Sequence, residues 1–368
     1  MRRADWRLLA VFAAAYVIAG LETNRLDAAD KKFAATDLSQ VDSDFQYQGE
    51  YLGSVVEESG YSVCFGLQVV AEGQGQFRGV TFRGGLPGYG WDETTRAVYH
   101  GTLGDGGVHL TGGPLQIVIT VGRAEVSDTH GRRLGELTHV ERRSSTLGAP
   151  PPAGAQVLFD GTDRDTFVKP KITADGLLQI GTETKQPMQD FYLHLEFRTP
   201  YMPQARGQGR GNSGVYLQGR YEVQILDSFG LEGKNNEAGA LYQTVPPRIN
   251  MALPPLAWQT YDIDFRAARF DADGKKTTPA RLTVYHNGVV VQNALEVPHK
   301  TGAGAAEGPN PRPTKLQDHG DPVRFRNIWL VEYSTPPATA TPACNAVANW
   351  PAPCGNCCGR MRRCRNCW

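Results

Sequence analysis

Arg281-Leu-Thr-Val-Tyr-His-Asn-Gly-Val-Val-Val-Gln292 reads as two extended runs, Arg281–Tyr285 and Val289–Gln292, joined by the tight-turn signal His286-Asn287-Gly288. Working outward from this hairpin, further strand-like runs lie at Phe191–Arg198, Gly214–Leu217, Arg220–Leu226, Thr260–Phe265 and Arg324–Val331. Their natural packing is a two-sheet jelly roll. The 42 glycines and 24 prolines, with no long stretch of helical periodicity, predict many short strands joined by tight turns, so the fold class is all-β. Lys plus Arg and Asp plus Glu stand at 38 each, which steers away from nucleic acid or an acidic membrane and toward a neutral partner such as a sugar.

Composition divides the 368 residues. A charged stub with Arg2, Arg3 and Arg7, the apolar run Leu8–Leu21 and the polar Glu22-Thr-Asn-Arg25 have the layout of a secretory signal peptide over residues 1–28, cleaved near Ala28. This predicts a secreted or periplasmic protein with no stable membrane span after cleavage. A small β-rich domain is expected over 37–143, with Val63, Phe65, Leu67 and Val69 sharing one strand face. It carries no constellation of acids, histidines or cysteines, so its expected role is accessory; Tyr89 and Trp91, in a Gly-rich loop, are either packing residues or a sugar-stacking pair. The Pro-rich stretch 144–154 reads as a linker, 155–334 as the jelly roll and 335–368 as a Pro/Cys-rich tail. Two C-x-x-C pairs in that tail, Cys354–Cys357 and Cys364–Cys367, point to disulfides in an exported chain, with zinc as the alternative.

Gly209-Arg-Gly-Asn-Ser-Gly214 matches G-x-G-x-x-G but runs into a strand rather than a helix, which removes the dinucleotide reading. Asp271-Ala-Asp-Gly274 lacks the rest of a calcium loop and reads as a turn. Asp160, Asp163 and Asp165 form the better oxygen-rich candidate for Ca2+, with solvated turn acids as the alternative. In Arg220-Tyr-Glu-Val-Gln-Ile-Leu-Asp227, alternation puts Arg220, Glu222 and Gln224 on one face and Tyr221, Val223 and Ile225 on the core face. That is a polar platform suited to a sugar, or a plain solvent-facing strand. Asp227 joins it only if a bulge re-aims the chain.

An ordered series of segments now carries a resemblance over roughly half of the chain. Val157-Leu-Phe-Asp-Gly161, Gly211-Asn-Ser-Gly-Val-Tyr-Leu217, Arg220–Asp227, Gly239-Ala-Leu-Tyr242, Trp258-Gln-Thr-Tyr-Asp262, Pro279–Gly288, Leu316-Gln-Asp-His-Gly320 and Asn327-Ile-Trp329 resemble the 3-keto-disaccharide hydrolase domain. The resemblance implies a concanavalin/laminarinase-like jelly-roll sandwich acting on sugars oxidised at C3. The small domain with its linker also resembles an arrangement common in planctomycete members, while Leu256-Ala257 departs from the small or acidic pair usual before Trp258.

A ketone at C3 acidifies the C2 proton and places the C1 glycosidic oxygen β to the carbanion. The reaction therefore needs a base, a donor for the enolate oxygen and an acid for the leaving oxygen. Glu222 is the expected base, Arg220 or Arg324 the enolate stabiliser and His319 the leaving-group acid or an orienter, with Asp227 holding His319 or a sugar hydroxyl. Gln224, Asn212 and Trp258 are expected sugar contacts. The rival readings are a non-catalytic lectin-like module and a conventional glycosidase pairing Glu222 with Asp227.

Overall fold

The computed structural model describes residues 33–162 and 164–333; the signal-peptide and Cys-rich-tail readings and Asp163 lie outside them. Eight strands come first: β1 (Gly49–Val56), β2 (Ser62–Gly73), β3 (Gln76–Arg83), β4 (Arg96–Gly104), β5 (Gly107–Thr111), β6 (Gln116–Thr120), β7 (Arg123–Ser127) and β8 (Arg133–Val140). Each pairs antiparallel with the next and β8 returns to β1, closing a barrel without free edges. The alternation expected of β2 holds at Leu67 and Val69, which are buried inside with Tyr51, Phe77, Tyr99 and Ile119. On β3 the other face, Val80 and Phe82, is buried as well.

The second half contains β9 (Gln156–Phe159), β10 (Leu178–Gln179), β11 (Thr182–Glu183), β12 (Phe191–Arg198), β13 (Ser213–Leu217), β14 (Tyr221–Ile225), β15 (Gln259–Arg266), β16 (Arg269–Phe270), β17 (Lys276–Thr278), β18 (Ala280–His286), β19 (Val289–Val297), β20 (Lys315–Leu316) and β21 (Arg324–Glu332). A seven-stranded sheet runs β10-β21-β12-β15-β18-β19 with β9 beside β21, and a four-stranded sheet runs β11-β20-β13-β14. Val215, Leu217, Val223 and Ile225 from the small sheet share one core with Leu193, Phe197, Ile263 and Phe325 from the large one, which makes the sandwich. Tyr261 crosses this core to donate from its hydroxyl to the Gln224 carbonyl at 2.6 Å, tying the sheets together. In the β18–β19 hairpin Asn287 and Gly288 both take positive φ, 52° and 80°, the backbone that such a two-residue turn requires. Asp271–Gly274 is a turn, between β16 and β17, as read; Asp271 accepts from the Asp273 and Lys275 amides.

Residues 144–149, expected to be linker, lie across the outer face of the seven-stranded sheet as a strap. Ser144 Oγ sits 2.6 Å from Thr260 Oγ1, Thr146 Oγ1 donates to Asp262 at 2.6 Å, and Gly148 N donates to Glu196 at 2.6 Å. Asn327 and Trp329 both donate to the Ala149 carbonyl at 3.1 Å. Beneath the strap His194 Nδ1 meets Asp262 at 2.7 Å. Burial alone would raise Glu196, but hydrogen bonds from His194, Asn327, the Gly148 amide and Arg326 hold it down at about 2.

Candidate active site

Glu222 lies mid-strand on β14 with its side chain on the face away from the core. Its register partner across the ladder is Tyr216 on β13, and Gly214 faces Gln224 one step along. The same outer face therefore gathers Asn212, Gly214, Tyr216, Glu222 and Gln224. Tyr216 Oη donates to Glu222 Oε2 at 2.6 Å, and Gln317 Nε2 lies 3.4 Å from that hydroxyl. The Gln224 amide, turned so that Nε2 faces the carboxyl, donates to Glu222 Oε1 at 3.0 Å and to the Ser213 carbonyl at 2.9 Å. Asn212 Nδ2 donates to the Gln208 carbonyl at 2.7 Å, which folds the 206–212 loop against the cluster. Room for the carboxyl exists because residue 214 has no side chain: a Cβ there would clash with Glu222 Oε1 and sit 2.9 Å from its Cγ.

Glu222 is 1% exposed. Burial pushes its carboxyl up to about 7, a rise moderated by the Tyr216 hydrogen bond and by the charge of Lys315. A carboxyl half-ionised near neutrality, on a rigid strand and ringed by hydroxyl and amide groups, is suited to taking and returning a proton. Because its folded pKa lies above the unfolded one, near 4.3, Glu222 contributes stability that is full below the unfolded value and is lost as pH rises through about 7. Glu222→Gln is accordingly expected to gain about 3 kcal/mol relative to the parent between pH 4 and pH 9, measured by urea unfolding at both pH values.

Residues 154–331 match the family described as the 3-keto-alpha-glucoside-1,2-lyase-like domain. The sandwich belongs to this family. The lyase-like domain gives the protein a carbohydrate-active function and a sugar substrate. Solved structures similar to the chain include a Parabacteroides distasonis protein provisionally assigned as a glycosyl hydrolase, 34% identical over 50% of this chain and 85% of its own, with a TM-score of 0.46. A second such protein from the same organism is 18% identical over 51% of this chain and 93% of its own, TM-score 0.33. A Trypanosoma rangeli sialidase in complex with sialic acid is 9% identical over 77% of this chain and 50% of its own, TM-score 0.27. No curated protein matches the chain.

The lyase-like domain brings together only part of the expected set. Glu222, Gln224 and Asn212 share one face. Arg220 sits in the turn before β14, where it donates to the carbonyls of Ala306 at 3.0 Å and Asn310 at 3.1 Å and to Gln218 at 2.7 Å. It thus clamps the 301–310 loop, and that loop's Thr301 hydroxyl accepts from the Glu222 amide at 2.9 Å. Arg324 on β21 and Trp258, just before β15, lie at the other sheet, on the opposite side of the sandwich. There the Arg326 and Arg198 guanidinium groups lie over the Trp258 ring at 4.0 and 4.9 Å, and Arg324 pairs across the ladder with Arg198. Neither reaches Glu222, because strand alternation shows which face a residue takes but not which sheet it joins.

Asp227 lies beyond the end of β14 and no bulge returns it to the platform. Its carboxylate is held by Arg210 Nε at 2.7 Å, both side chains buried, so it does not hold His319. Arg210→Met would strand that charge and is expected to cost about 3–5 kcal/mol in urea unfolding. His319 is exposed at the apex of the 317–321 loop, which is anchored beside the platform by Gln317 N to Gly214 O at 2.9 Å and Asn212 N to Asp321 at 2.9 Å. Asp160 accepts from the Thr162 amide and hydroxyl at 2.9 and 2.7 Å, a local turn, and Asp165 is exposed. Among the described residues no three His, Cys, Asp or Glu side chains gather as metal ligands. Trp91 packs edge-on to Phe82 at 5.1 Å and donates to the Thr95 carbonyl, so it wedges barrel to sandwich. Tyr216 is the residue that sequence reasoning missed; it stands two positions beyond Gly214 and four beyond Asn212 on the same alternation.

Proposed function

We propose that the sandwich cleaves the glycosidic bond of 3-keto-glycosides by elimination, with Glu222 as the general base. The observation that carries this reading is the buried Glu222 carboxyl, poised near pH 7 and surrounded by Tyr216, Gln224, Asn212 and Gln317. The Glu222 carboxylate takes the C2 proton, and the C–H electron pair forms the enolate with negative charge on the C3 oxygen. As the C3 carbonyl re-forms, the pair moves to a C1=C2 double bond and the C1–O bond breaks, the departing oxygen taking a proton from an acid. Water added across C1=C2 afterwards returns a 3-keto sugar and completes a net hydrolysis. Tyr216 orients the base, Lys315 supplies positive charge toward the enolate, the amides position hydroxyls, and His319 at the rim is the leaving-group acid.

The conventional two-carboxylate glycosidase is disfavoured because Asp227 is committed to Arg210 rather than facing Glu222 across a substrate. The deciding experiment is mass spectrometry of products after incubation with a 3-keto disaccharide and, separately, with its unoxidised parent. Release of monosaccharide or a 2-hydroxyglycal ketone from the keto sugar alone is the expected result. Cleavage of the parent would return the glycosidase reading, and turnover of neither would leave a sugar-binding module.

A further inference from the structure

Where the barrel meets the sandwich, Glu72, Arg78, Arg206, Arg210 and Asp227 line a partly open cavity of about 70 Å³, several times what one water needs. Two of its three arginines are already engaged. Arg210 is spent on Asp227 and on the Pro203 carbonyl at 3.1 Å, and Arg206 donates to the Pro203, Ala205 and Glu72 carbonyls while leaving its outer edge exposed. Arg78 differs. It projects from β3 beside Gly230, and its Nε lies 3.6 Å from the Glu72 carboxylate, too long for a hydrogen bond. Among the described residues its buried Nε–H meets no acceptor.

A guanidinium presents five N–H donors in a planar fork, and a buried one left without an acceptor, as the Arg78 Nε–H is, is costly. Burial works against the Arg78 charge and the neighbouring Arg210 adds to this, while Glu72 offsets part of it. Asp227 is neutralised by Arg210, and the single Glu72 carboxylate is divided between Arg78 and, at 3.9 Å, Arg206. The cavity lining therefore carries three arginines against two carboxylates, and the Arg78 Nε–H has no acceptor. An oxyanion supplies both what the charge and what the donors lack, because its two oxygens match the fork.

We propose that this junction cavity binds a small oxyanion, the carboxylate or sulfate group of an acidic sugar or the free anion, with Arg78 as its principal donor and Arg206 closing over it. The site adjoins the Glu222 face through the 206–212 loop, whose Arg206 and Arg210 line the cavity while Gln208 and Asn212 face Gln224. Its existence does not depend on the reaction assigned to Glu222.

The test is thermal unfolding and calorimetric titration of the full chain with sodium sulfate, glucuronate and, as the neutral control, glucose, at constant ionic strength. Saturable stabilisation by an anion, absent with glucose, is expected. Arg78→Met should weaken it by about tenfold or more, and the half-exposed Arg206→Gln should weaken it too, without threatening the fold. Response to both anions identifies the oxyanion alone as the recognised group, and response to glucuronate alone identifies an acidic sugar. No saturable response, or an equal response in parent and both variants, would overturn the site. Catalytic activity is not a readout here, so failure would leave the Glu222 assignment untouched.

Discussion

Glu222→Gln is expected to reduce turnover of a 3-keto disaccharide by about 10²–10⁴-fold, the range that loss of a positioned general base produces. The amide keeps the volume of the carboxyl and an oxygen to accept from Tyr216 at the same place, so the variant should retain its circular dichroism spectrum and its urea midpoint at acidic pH. The parent's kcat/KM should rise with pH through an ionisation near 7, since the base works only when deprotonated and burial sets that value. The basic limb, if it belongs to a separate acid, should survive in any variant that spares that acid. Full activity in the glutamine variant would remove Glu222 from the chemistry altogether.

The second large effect is expected at a residue with no functional group. Gly214→Ala puts a methyl where the Glu222 carboxyl now rests, 2.9 Å from its Cγ, with the strand backbone fixing the methyl from below. Position 214 is ordinary extended strand, which alanine adopts without backbone strain, so the substitution acts by displacing the carboxyl. A displacement on the order of 1 Å in a base costs about 10²-fold. Steady-state kinetics on the keto sugar should show the loss in kcat, with the pH profile shifted because the carboxyl leaves its buried seat. An unchanged kcat would mean that the carboxyl does not work from this position.

The jelly roll was legible because its strands alternate cleanly against one apolar core: Phe191–Arg198 and the runs around Tyr261, Val284 and Phe325 all appear within a residue or two of their expected bounds. The barrel was less so. β4 carries Val98 and Leu103 partly exposed and buries Tyr99 alone, so it writes no strong period into the chain, and β7 alternates, with Ala124 and Val126 inside, but over five residues only. The platform of Glu222, Gln224 and Asn212 follows from alternation, because residues two apart on a strand share a face whatever the tertiary fold. Arg324 and Trp258 obey the same rule and still land on the far side, since alternation is blind to which sheet a strand enters. Asp227 was misjudged for another reason: its partner, Arg210, lies in a loop whose path no local pattern encodes.

The strap at 144–149 sets how this protein can be divided. A boundary drawn by composition after Gly154 leaves the strap attached to the barrel and strips it from the sheet it covers. His194, Glu196 and Asp262, sealed beneath it, would then meet water together, and Glu196 would lose the Gly148 amide that helps keep it ionised. Barrel and sandwich are therefore two folds whose structural boundary is not their compositional one: a cut at the apparent seam would leave the sheet without the strap that covers it.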